Sequence, residues 1–71
     1  MSDMKDILLN ALRKHAEGHV EMYKADIEVY LRNATGVGEH PDIVEAMEDK
    51  FKKLAEYDDI LEMIDKHFSN K

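Results

Sequence analysis

Apolar residues recur along the first part of the chain at Leu9, Leu12, Ala16, Val20, Tyr23, Ile27 and Tyr30. The steps are three and four residues and average close to 3.5, the period of a helical stripe and not of an alternating strand. No proline interrupts residues 4 to 32, and the spacing predicts one long helix over about 4–32. Ser2 or Asp3 is placed to cap its start, with Asp6 in the first turn and Arg32 in the last, both favourable to the helix dipole. Residues 33 to 40 break the pattern with Asn33, Thr35, Gly36 and Gly38. Pro41 then marks a restart, because proline at the first helical position gives up no intrahelical hydrogen bond. A second stripe follows at Val44, Met47, Phe51, Leu54, Tyr57, Leu61, Ile64 and Phe68, predicting a helix over about 41–68.

Two helices of nearly equal length, each roughly 42 Å long at 1.5 Å per residue, joined by a loop of about 33–40, are expected to fold back on one another. The expected fold is all-α: an antiparallel two-helix hairpin, one domain spanning residues 1–71. Both apolar bands are wider than one partner helix can cover. Ile7, Leu8, Met22, Val29 and Leu31 flank the first stripe, and Ile43, Ile60 and Met63 flank the second. A lone hairpin leaves such flanks wet. Pairing of two hairpins into a dimeric four-helix bundle buries them, with Leu12, Val20, Tyr23, Ile27, Tyr30, Met47, Phe51, Leu54, Leu61, Ile64 and Phe68 carrying the assembly. A hairpin docked on a different protein is the alternative.

Composition supports a folded helical chain. Of 71 residues, 44% are hydrophobic and 37% charged, a balance of long-helix proteins that separates the chain from disordered ones. There is no cysteine to staple so small a core, which again favours oligomerisation as its support. The formal charge is −6, and neither half is basic. Phosphate backbones and anionic membranes are therefore disfavoured as ligands. The N-terminal stretch lacks the apolar core of a secretory signal, and no apolar run is long enough to span a bilayer. The expected compartment is the cytoplasm.

The only G-x-G spacing, at Gly36 and Gly38, follows a helix, and Pro41 stands where a dinucleotide fingerprint needs its third glycine. A Walker loop would end in Gly-Lys-Ser or Gly-Lys-Thr, whereas Glu39 and His40 put a carboxylate in the place of phosphate. The glycines are better suited to reversing the chain. Asn33-Ala34-Thr35 matches a glycosylation sequon, without consequence in a chain lacking a signal.

Candidate chemistry reduces to one row. His15 and His19 lie four residues apart on one helical face, with Met22 and Asp26 continuing it. Two imidazoles plus the Asp26 carboxylate form a possible zinc set. The plainer reading makes this row the border of a dimer interface, with histidine as semi-polar filler. Glu17 is about 200° around the helix from His15 and cannot serve as base to a metal held there. The carboxylates of the second helix are interleaved with lysines, Glu48 with Lys52 and Asp49 with Lys53 among them, as in a solvated face. No serine, cysteine or Glu-x-x-His arrangement provides a reaction centre, and no cofactor is implied. Asp26 and Asp58, beside the stripes, are candidates for fixing register.

Gly18-His19, the "IEVYL" segment at 27–31, the "GVGEHPDI" turn and the stretch from "AEYDD" to "DKHF" resemble a family of short, uncharacterised proteins encoded by tailed bacteriophages, including those of aquatic bacteria. The resemblance covers most of the chain. It implies a viral origin and a host-cell cytoplasm, with a phage or host protein as partner and no catalytic residues to carry over. Three functions are expected: an accessory or adaptor protein acting through helix contacts and self-association, a metal-binding bundle using His15 and His19, or an acidic inhibitor of a host nucleic-acid-binding protein.

Overall fold

A computed structural model describes residues 3–32 and 42–69. Helix α1 runs Met4–Arg32 and helix α2 runs Asp42–His67. The expected loop over about 33–40 and the start at Pro41 lie outside the described residues. Asp3 caps α1: its Oδ1 accepts from the Asp6 backbone N–H at 3.0 Å, and its carbonyl accepts from Ile7 N–H at 3.0 Å. At the other end Arg32 bonds Glu28 at 3.3 Å. Phe68 N–H closes the end of α2 on the Ile64 carbonyl at 2.9 Å.

The helices pack side by side and antiparallel. Arg13 meets Asp65, His19 meets Tyr57 and Asp26 meets Lys50, so numbers rise along α1 as they fall along α2. The molecule is a rod of 55 × 17 × 16 Å with a radius of gyration of 16.3 Å, against about 11 Å for a compact chain of this length. It is one layer thick. Only Ala16, Ile27 and Ile64 are buried outright among the described residues.

The half-buried positions define the seam. Its heptad runs on α1 through Leu9, Arg13, Val20, Tyr23 and Tyr30 around Ala16 and Ile27, and on α2 through Ile43, Met47, Lys50, Leu54, Tyr57 and Leu61 before Ile64; His19, Asp26, Ala46, Ile60 and Met63 are half-buried beside these positions. Both runs step regularly by three and four, the heptad spacing that keeps one face of a helix against a partner.

This seam departs from the expected stripes at four places. Leu12 is 42% exposed, Phe51 51%, Phe68 57% and Val44 67%. Arg13 and Lys50 hold the heptad positions next to Leu12 and Phe51. Each is half-buried at the seam and carries its charge to a carboxylate of the opposite helix, as a long side chain with an apolar stem can. Arg13 Nη2 lies 2.9 Å from Asp65 and Lys50 Nζ 3.3 Å from Asp26. Long cationic side chains thus occupy sites that hydrophobicity alone would give to leucine and phenylalanine.

Candidate interaction surface

Two sides of the hairpin flank the seam. On one side, Leu31, Phe51 and Leu54 border a groove of about 420 Å³ with Ile27 at its base and Lys24 and Glu28 at its edge. Further along the same side stand Asp58 and the Arg13–Asp65 pair.

The other side begins from His15 and His19. Their α1 spacing brings the two rings to 4.3 Å, centroid to centroid. His19 Nδ1 is 3.0 Å from the His15 carbonyl; since a carbonyl only accepts, Nδ1–H donates in this contact. His19 stacks on Tyr57 of α2 at 4.4 Å and 17°, and Tyr57 lies 6.0 Å from Tyr23. Lys50 Nζ stands 5.6 Å over the Tyr23 ring, within the range of cation–π attraction. Four rings and one ammonium thereby tie the middle of α1 to the middle of α2. Beside them on α2, the Asp49 carboxylate, by hydrogen bond and by charge, raises the Lys53 ammonium above the usual lysine range.

Of the proposed zinc set, the structure brings His15 and His19 together but turns Asp26 to Lys50. Among the described residues no group of three or more His, Asp or Glu is placed to hold a metal ion. No polar or charged residue is buried among them either, so they include no strongly desolvated acid or base of the kind that marks many catalytic sites. Asp26 does sit at the seam edge, as a register residue would; Asp58 is exposed. Sequence reasoning missed Arg13, Lys50 and the joining of Tyr57 to the histidines. A stricter heptad count, continued through charged residues, would have found the first two.

Among the interface candidates, Val20, Tyr23, Ile27, Tyr30, Met47, Leu54, Leu61 and Ile64 are used within the hairpin, while Leu12, Phe51 and Phe68 remain on its surface. Among the described residues no helix is long and apolar enough to cross a membrane. No family model, curated protein or solved structure matches the chain.

Proposed function

We propose that the chain is a small non-enzymatic accessory or adaptor protein of phage type, working in the cytoplasm through helix contacts, and that its first partner is a second copy, in a dimeric four-helix bundle. The accessible surface carries this reading. It amounts to 5711 Å² for an 8.3 kDa chain, whereas a compact monomer of that mass exposes about 4,600 Å². The surplus, about 1,100 Å², exceeds the roughly 800 Å² that each partner contributes to a standard interface. A one-layer hairpin leaves one face of each helix without a core, and a second layer supplies it.

The test is solution mass by light scattering after size exclusion, over a wide concentration range and with chelator. A mass of twice 8.3 kDa, unchanged by chelator, is expected. A monomer throughout would overturn the reading.

The 4.3 Å approach of His15 and His19 favours a second reading, a metal-binding bundle. It requires zinc to bind the wild type and not a His15→Ala, His19→Ala double variant; equal weak binding by both would end it. The acidic-inhibitor reading is weaker, because Lys52 and Lys53 pair with Glu48 and Asp49 and interrupt the row of carboxylates a phosphate imitation needs.

A further inference from the structure

Helix α1 carries a second heptad row beside its seam, formed by Leu8, Leu12, His15, His19, Met22, Asp26 and Val29 at steps of four and three. It runs about 32 Å along the helix. Leu8 is 61% and Met22 46% exposed. From Leu8 to Met22 the row bears no formal charge, although the chain as a whole carries −6. A row of this period is the surface a coiled-coil partner reads.

We propose that this row, on the side of the hairpin away from the Leu31–Phe51 groove, is the self-association surface, and that the two α1 helices meet there antiparallel about a two-fold axis between Gly18 and His19. The inference rests on the dimer reading above. The order of residues along the row fits this arrangement. Rotation about that point lays Leu8 on the partner copy's row near position 29 and exchanges His15 with Met22, while Leu12 and His19 fall into the spaces between. Residue types of similar size therefore oppose one another, as an isologous interface demands. The rotation lays residues 15 to 22 of one copy over residues 15 to 22 of the other, while Asp26 of each falls beside the partner copy's Leu12. At the centre of the contact two chains of like charge then approach through row positions that carry none. Pairing through the Leu31–Phe51 side would instead oppose two charged surfaces, with Glu21 paired to Lys24, Glu28 paired to Arg32, and Asp58.

Single cysteines read this geometry directly, because the native chain has none. A His19→Cys variant puts two thiols about 1.5 Å apart along the helix direction and is expected to form a disulfide-linked dimer under mild oxidation. In a Leu8→Cys variant the thiols are about 32 Å apart, and in Phe51→Cys they lie on outer sides; neither should cross-link. Cross-linking of Leu8→Cys would mean a parallel pair, and cross-linking of Phe51→Cys alone would move the interface to the groove. Either overturns the proposal while leaving the dimer standing. A native chain that scatters as a monomer removes both. Because His19 takes part in the ring stack, Met22→Glu gives an independent reading at an exposed site. It should raise the dimer dissociation constant at least tenfold, against less than threefold for Phe51→Glu, and equal effects would overturn the assignment.

Discussion

Lys50 is the residue on which the seam departs most from an apolar packing. It holds the heptad position between Met47 and Leu54 and is half-buried there, while its ammonium reaches Asp26 at 3.3 Å and stands over the Tyr23 ring. A charge pair at the edge of a helix seam contributes little to net stability, yet loss of one member leaves the other partly desolvated. Asp26→Ala should therefore cost about 1–2 kcal/mol in urea unfolding. The double replacement Asp26→Leu, Lys50→Leu should come close to wild-type stability or exceed it, since leucine packs the same volume without a desolvation cost. The difference is expected in specificity: the polar pair fixes which turn of α1 faces which turn of α2. A double variant that eluted as a single species of unchanged mass would show that register is set elsewhere.

At the scale of the helix, most of the fold was legible in advance. Steps of three and four from Leu9 to Tyr30 and from Met47 to Ile64 read directly as two long helices, and Asp3, Asp6 and Arg32 lie where dipole and capping arguments put them. The parts that were not legible share one cause. Hydrophobicity scales rank a side chain by its whole transfer energy, and so prefer Leu12 to Arg13 and Phe51 to Lys50. In the hairpin a long cationic stem is half apolar, and a carboxylate on the opposite helix makes the charged end inexpensive. Asp65 and Asp26 supply those carboxylates, and their positions become known only once the antiparallel register is. The same holds for Tyr57, whose meeting with His19 depends on α2 and cannot be read from α1. Gly18 is the remaining irregularity, a glycine in mid-helix where a Cβ would meet nothing within 4 Å. Gly18→Ala should raise stability by about 1 kcal/mol through helix propensity alone, a gain of several degrees in thermal midpoint for a chain this size. A loss of stability would mean that a helix of the second copy passes over Gly18 too closely to admit a methyl group.

For the molecule as a whole the proposed balance lies between the uncharged Leu8 to Met22 part of the α1 row and a net charge of −6 on the chain. In the proposed dimer, joining two copies gathers twice that charge into one bundle, so long-range electrostatics would oppose association while apolar burial would drive it. Salt separates the two contributions. At 0.01 M the screening length is about 30 Å, comparable with the length of the row, and at 1 M it falls to about 3 Å. Repulsion between the acidic outer faces is then largely removed and apolar burial is not weakened. The dimer dissociation constant measured by sedimentation should accordingly fall several-fold as sodium chloride rises from 0.02 to 0.5 M, on the order of the screening change just given. The opposite slope would carry a different meaning. If salt weakened association, ion pairs between the copies would be holding it, and the uncharged Leu8 to Met22 stretch would not be the surface that joins them.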